Sequence, residues 1–493
     1  MKKPHLLLQS AIRASAMTMV KILGLISRII LARLVGAEGI GLYQMGYSLY
    51  GFVIMLFGGA STALAIITAK KPGEGWKFLK MLSFGIIISA GILSQIVFWE
   101  SPRIALLLGN PDLYDALKSI APAIFAAPLL GLLRGYLQGL EQFRIIAVSE
   151  IIEQASRVFL MLLIINYFLP SELGIVVGKG LYATFLSMII AFSLLIIYIF
   201  HNDLHLSSSH QAESSFPIRW LIRTSIMISI TRLLVPASEF IDAILIPNRL
   251  ITSGYNPTEA TSIFGIITGM AFTVVYTPTL ITEALSHTLT MRFAAHWNQK
   301  EEQKFHELLH TAMKLSWLWG LTSASFLFIY AEELSFYIFH TDKASELIKY
   351  LSAIPIIVGL REVTTSILWA QDVKKVPFLG LATGICISTI IQYFVIAIPG
   401  YAFVGAAAGL LSMEIVSFAL NITVFKRNLN LIKVLPYALL DVLAIGGCMT
   451  VLAQIKPDSI ISLPEFLMSS IFFFALTGIY MIFRCGDVYS AGK

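Results

Sequence analysis

Lys21 and Arg28 stand seven residues apart in one apolar stretch. Two helical turns bring both onto one face. Arg232 and Glu239 repeat that spacing, with Asp242 close behind. Glu153 and Arg157 are four apart, Glu283 sits near the end of another apolar stretch, and Arg361 and Glu362 are adjacent in a further one. Hydrocarbon strongly disfavours charge, so each of these groups is a functional candidate by default. A guanidinium is a planar fork that suits phosphate oxygens and stays ionised. A water-filled cavity between two helical halves, lined by Arg and Lys, would suit a pyrophosphate headgroup. Lys21, Arg28, Arg157, Arg232 and Arg361 are therefore candidate substrate-binding residues. Glu153, Glu239, Asp242, Glu283 and Glu362 are candidates for ion or proton coupling, or for positioning sugars and the basic side chains. The structural alternative is charge pairs that only hold helices together, and the four-residue spacing of Glu153 and Arg157 fits it. Glu414 and Asp441 are lone acids with no role assignable from sequence.

A second pattern suggests different chemistry. His306-Glu307-Leu308-Leu309-His310 matches H-E-x-x-H, which on a helix presents two imidazoles to zinc with a glutamate as general base. A catalytic zinc needs a third protein ligand, and no Asp, Glu or His follows at metzincin spacing. The flanking Lys300, Glu301, Glu302 and Lys304 mark a solvated amphipathic approach to an apolar segment. A membrane zinc metalloprotease is thus a remote alternative, and no metal or cofactor is expected. No phosphate-binding loop and no nucleophile–histidine arrangement is present. No catalytic residue is assigned, and the chain reads as a non-enzyme.

The elements that position these groups follow from composition. Of 493 residues, 57% are hydrophobic and 13% charged, where a soluble domain is nearer a quarter charged. This predicts an all-α integral membrane protein, because only helices satisfy their own backbone in lipid when no closed barrel forms. About 14 spanning helices are expected at about 20 apolar residues each. They include spans near 10–33, 42–68, 147–169, 222–247, 258–285, 346–370, 402–425, 434–455 and 462–484. With the N-terminus inside, the inner loops hold most of the loop Lys and Arg. That bias places both termini in the cytoplasm and accounts for the net charge of +6 without nucleic acid as a partner. No cleavable signal follows the basic start. Cys386, Cys448 and Cys485 are isolated and form no disulfide framework.

An internal repeat organises the spans. Ala126-Ala127-Pro128 through Leu133-Arg134 recurs as Ala353-Ile354-Pro355 through Leu360-Arg361, and Val177-Gly178 recurs as Val404-Gly405. All share one offset of 227 positions. Six spans intervene, so the halves share an orientation and form a parallel repeat. The expected domains are an N-terminal lobe at 1–200, a cytoplasmic linker at 201–221, a C-terminal lobe at 222–425, and an appendage of two helices at 426–493.

Three stretches also carry a family likeness. The first runs from Lys21 through Arg28, Arg33 and Glu38 to Tyr43. The second is Arg134-Gly135-Tyr136-Leu137-Gln138-Gly139, followed by Ser149 through Glu153, Gln154 and Arg157. The third is Leu245-Ile246-Pro247-Asn248-Arg249-Leu250, then Phe264 through Met270. Together they resemble the stage V sporulation protein B group, in the polysaccharide-exporter and lipid-flippase branch of the superfamily of multidrug and toxin extruders. The resemblance implies two six-helix lobes plus two extra helices in the cytoplasmic membrane. It also implies flipping of an undecaprenyl-pyrophosphate-linked peptidoglycan or polysaccharide precursor, for spore cortex or cell wall, with the polymerases of those structures as partners. Lys21 matches a basic site of the related lipid II flippases. Their second first-helix arginine aligns with Ser27, one place before Arg28. A cation-coupled multidrug extruder is the alternative from the same superfamily.

Overall fold

The computed structural model describes the backbone of residues 3–204, 218–425, 431–455 and 460–490. Most of the linker expected at 201–221, with His205, His210 and its serines, lies outside the described residues, as does the side chain of Cys485. Every described element is a helix or turn.

The chain divides into two compact units, Met1–Gly265 and Ile266–Lys493. The first holds α1 (Lys3–Met55), α2 (Gly58–Lys70), α3 (Pro72–Trp99), α4 (Ser101–Leu107), a 3-10 turn at Pro111–Leu113, α5 (Tyr114–Gly139), α6 (Phe143–Phe168), α7 (Leu173–His201), α8 (Ile218–Thr252) and α9 (Pro257–Phe264). A π-helix, Gly265–Ala271, leads into the second. That unit holds α10 (Phe272–Val275), α11 (Thr279–Asn298), α12 (Glu302–Ile329), α13 (Ala331–Phe339), α14 (Ser345–Tyr350), α15 (Ile354–Ala370), α16 (Lys375–Val395), α17 (Ala402–Phe425), α18 (Leu431–Ile455) and α19 (Leu463–Ser490).

Among the described residues, nine helices are long and apolar enough to cross a membrane. Length and apolarity do not establish the expected fourteen, because some expected spans are merged and others do not meet these criteria. Ser15–Lys70 is one such stretch where two spans, 10–33 and 42–68, are expected. Helices α6, α8 and α15 are passed over, and these carry most of the membrane charges.

The first two expected spans divide elsewhere than the sequence suggests. Helix α1 runs through residues 34–41 with a kink at Gly36, whose φ of 68° is readily open only to glycine. The break falls at Leu56–Phe57 instead. There Ser229 of α8 satisfies the loosened backbone: its hydroxyl donates to the Leu56 carbonyl at 2.7 Å and accepts from the Gly59 amide at 3.0 Å. In hydrocarbon such groups must find a protein partner. A Cβ on Gly59 would lie 1.9 Å from the Ser225 carbonyl, so only glycine admits this approach. Helix α8, which the sequence reading assigns to the second lobe, thereby packs on α1 and α2 within the first unit. The span expected at 258–285 is likewise divided, by the π-helix and by a break at Tyr276–Pro278.

In the second unit, α11, α12 and α15 share a core of Phe293, Phe305, Leu309, Val363 and Ile367. Helices α18 and α19 are tied by an ion pair. Arg484 Nε donates to Asp441 Oδ1 at 2.7 Å, and Tyr480 donates to the same oxygen at 2.7 Å. Lys314 of α12 donates to the Arg484 carbonyl. Asp441, unassignable from sequence, thus fastens the last two helices together.

Candidate functional site

Each unit carries its own cluster of membrane charges. In the first unit the cluster begins with a tyrosine ladder on α1, just past the Gly36 kink. Tyr43, Tyr47 and Tyr50 recur at helical spacing and share one face. The rings of Tyr43 and Tyr47 stack at 5.4 Å between centroids and 13° between planes, and Tyr50 follows at 5.3 Å. Helix α6 packs against α1. Gly24 of α1 faces the Gln154 amide of α6, one turn before Arg28.

Arg157 projects from α6 to this ladder. Its Nη1 donates to the Tyr47 hydroxyl at 2.9 Å, Nη2 donates to Gln154 Oε1, and the guanidinium lies 6.0 Å from the Tyr47 ring centre. These partners are neutral. The carboxylate one turn earlier, Glu153, is taken by Arg134 of α5, whose Nη1 lies 2.8 Å from Glu153 Oε2 and whose Nε donates to Ser149 at 3.0 Å. The helical pairing of Glu153 with Arg157 expected from their spacing is therefore corrected. Glu153 is turned into the protein, 9% exposed, toward a guanidinium on another helix. Among the described residues Arg157 hydrogen-bonds uncharged acceptors, the Tyr47 hydroxyl and Gln154 Oε1, while Glu153 acts on it through its field alone. It keeps a partly exposed surface through which an anion could reach it.

Arg28 is partly exposed and acts electrostatically on Tyr43, as does Arg157. Glu239 of α8 is exposed and lies within electrostatic reach of Arg28. The first unit thus brings Arg28, Arg157 and Glu239 together, with the Arg134–Glu153 pair beside them. Lys21 and Arg232 occupy the same two helices, two turns before Arg28 and Glu239 respectively, and both are exposed. Asp242 is partly buried on α8. Sequence reasoning missed Tyr43, Tyr47, Gln154 and Arg134 as site residues. The tyrosine spacing was visible, but an aromatic stripe at helical period is ordinarily core.

The second unit builds a different cluster. Arg361 of α15 donates from Nε to Glu414 of α17, which is 3% exposed. Its Nη2 lies 4.0 Å from Glu362. Tyr276 donates to the other Glu414 oxygen at 3.3 Å, and Thr282 donates to Glu362 at 3.4 Å. Glu283, next to Thr282 on α11, acts electrostatically on Glu362. Three of the candidates, Arg361, Glu362 and Glu283, meet here, and Glu414 gains its partner. Here the guanidinium is committed to carboxylates.

The H-E-x-x-H stretch forms the first turns of α12. Gln303 donates to Glu307 at 3.2 Å. Among the described residues, no group of three or more His, Cys, Asp and Glu is placed to hold a metal.

A family model described as polysaccharide biosynthesis protein matches residues 7–255, just over half of the 493. The chain belongs to that family. The matched stretch contains the whole cation-rich cluster and none of the acid-rich one. Over 452 residues the chain is 24% identical to stage V sporulation protein B of Bacillus subtilis (strain 168), covering 89% of this chain and 87% of the relative. It is 23% identical over 410 residues to lipid II flippase MurJ of the same organism, covering 76% and 74%. Among solved structures, the inward-facing conformation of a multidrug resistance MATE family transporter aligns with a TM-score of 0.68 at 14% identity, over 84% of this chain and 96% of that one. This family member has the MATE-like transporter fold and is a multi-pass membrane protein.

Proposed function

We infer that the chain is a flippase that moves an undecaprenyl-pyrophosphate-linked sugar precursor across the cytoplasmic membrane, with access alternating between its two faces. The observation that carries this reading is the partnering of Arg157. A guanidinium hydrogen-bonded by a phenol and an amide, with the nearby Glu153 paired to Arg134 instead, is left able to pair with an anionic ligand. Arg28 shares the ladder and would take the second phosphate, with Lys21 and Arg232 as approach sites. The names of the two relatives, a sporulation protein and a lipid II flippase, support a cell-wall or spore-cortex precursor as cargo. The loop bias in Lys and Arg supports both termini in the cytoplasm. Flipping requires no covalent chemistry. The acid-rich cluster of the second unit suits coupling to a cation or proton.

The test measures flipping of a lipid-linked precursor in proteoliposomes. Arg157→Ala and Arg28→Ala should each lower the rate at least about tenfold while the protein remains folded and monodisperse. Normal flipping in both variants would overturn the assignment. The acid-rich cluster also favours a second reading, a cation-coupled multidrug extruder. Dye efflux that depends on Glu362, with no precursor flipping, would establish that reading instead.

A further inference from the structure

A second cationic feature lies on α8, apart from the cluster just described. Arg219, Ile222, Arg223, Ile226 and Met227 line a surface cleft of about 620 Å³. Their spacing of three and four residues is one helix face. Arg232 and Glu239 fall on the opposite side of the same helix at 100° per residue. The cleft is therefore not part of the candidate substrate cluster.

The cleft is graded along the helix. At one end are two guanidiniums four residues apart, both exposed and neither in a hydrogen bond or ion pair among the described residues. Like charges at this spacing repel and destabilise the helix, so an anion between them removes a cost. Ile222 lies between the arginines, and Ile226 and Met227 follow within one turn, each of the three more than half exposed. Trp220 sits beside the arginines, with the Lys70 ammonium 5.5 Å from its ring centre. Tryptophan and long basic side chains mark the depth of lipid headgroups. Two forks at headgroup depth above an apolar wall match one kind of ligand, a phosphate carried on acyl chains.

We propose that the Arg219–Arg223 face of α8 is a binding site for an anionic glycerophospholipid. The guanidiniums take the phosphate and the Ile222–Met227 wall takes the upper acyl chain. A tightly held anionic lipid would tie the activity of the protein to the charge of its membrane.

The experiment uses the full chain in nanodiscs of mixed phosphatidylglycerol and phosphatidylcholine, with retained lipid counted by native mass spectrometry. Each basic residue near an anionic surface strengthens binding about fivefold, so wild type should prefer phosphatidylglycerol by about 25-fold. The double substitution Arg219→Gln, Arg223→Gln should bring that preference close to unity. Arg219→Lys with Arg223→Lys should keep most of it. Removing two exposed basic residues elsewhere, Lys300→Gln and Lys343→Gln, should leave it intact. Thermal unfolding of each variant in detergent reports folding separately. Unchanged retention in the double glutamine variant, or an equal loss in the control pair, would overturn the site. Displacement by inorganic phosphate would reduce it to a bare anion site, and displacement by undecaprenyl pyrophosphate would reassign it to the carrier lipid. Because lipid retention is read without transport, failure of the flippase reading leaves this result standing.

Discussion

Arg134 in the first unit and Arg361 in the second stand 227 positions apart, the offset of the expected repeat, yet their neighbourhoods have opposite character. Around Arg134, three arginines (Arg28, Arg134 and Arg157) accompany two glutamates, Glu153 and Glu239. Around Arg361, one arginine accompanies three glutamates, Glu283, Glu362 and Glu414. The difference lies in which helix supplies the carboxylate. Arg134 takes Glu153 from α6 and leaves Arg157 to a phenol and an amide. Arg361 takes Glu414 from α17, and among the described residues no second guanidinium joins that cluster. Two arginines at one offset thus sit in a cation-rich cluster in one unit and an acid-rich cluster in the other. That contrast underlies the proposed division of labour between gripping an anion and handling a cation.

The sharpest test of the comparison is to remove the carboxylate from each arginine. Glu414→Ala strips the second unit of a nearly buried partner, and breaking such a pair costs about 3–5 kcal/mol. Thermal unfolding in detergent should show that loss. Pairing Glu414→Leu with Arg361→Met should restore much of it, since an apolar pair of similar volume avoids the stranded charge. Glu153→Ala should cost less, because Arg134 keeps its bond to Ser149 at 3.0 Å. Equal losses at the two sites would mean that the units are balanced alike.

A smaller effect separates grip from charge within the first unit. Tyr47→Phe keeps the ring beneath Arg157 but deletes the acceptor at 2.9 Å. A hydrogen bond to a charged group is worth about 1.5–3 kcal/mol. Precursor flipping should fall by roughly tenfold or more, with little change in unfolding temperature. The corresponding change in the second unit, Tyr276→Phe, removes only a 3.3 Å contact to an already paired Glu414. It should leave headgroup binding unaltered. A transport defect at Tyr276 as large as that at Tyr47 would break the proposed division.

Much of the fold was legible because lipid imposes simple rules. Apolar length announced helices, and the shared offset drew attention to Arg134 and Arg361, each of which the structure places in a charge cluster. What sequence could not convey was partnership across helices. Spacing along α6 suggested that Glu153 serves Arg157, but the carboxylate faces Arg134 on α5. Glu414 and Asp441 looked solitary because Arg361 and Arg484 lie 53 and 43 positions away. Breaks were misplaced for a related reason. The interruption at Leu56–Phe57 depends on a serine hydroxyl 173 residues on, which no local pattern reveals.

The smallest expected effect concerns a charge cluster at the start of α12, beyond the membrane-spanning segments. Glu301 accepts from Lys304 at 2.8 Å and contacts His296 at 2.6 Å. These hydrogen bonds, that from Lys304 first, hold its carboxyl below the ordinary value of 4.5. A carboxyl depressed in the folded state contributes stability above its unfolded value, and that contribution fades as pH falls through the folded one. Glu301→Gln should therefore lower the unfolding temperature slightly at neutral pH and not at all once the medium is acid enough to protonate the wild-type group. The pair is open to solvent, so salt should erase the difference as well. A penalty that persisted in acid and high salt, comparable to that of Glu414→Ala, would show that this end of α12 depends on a buried interaction and not on a solvated one.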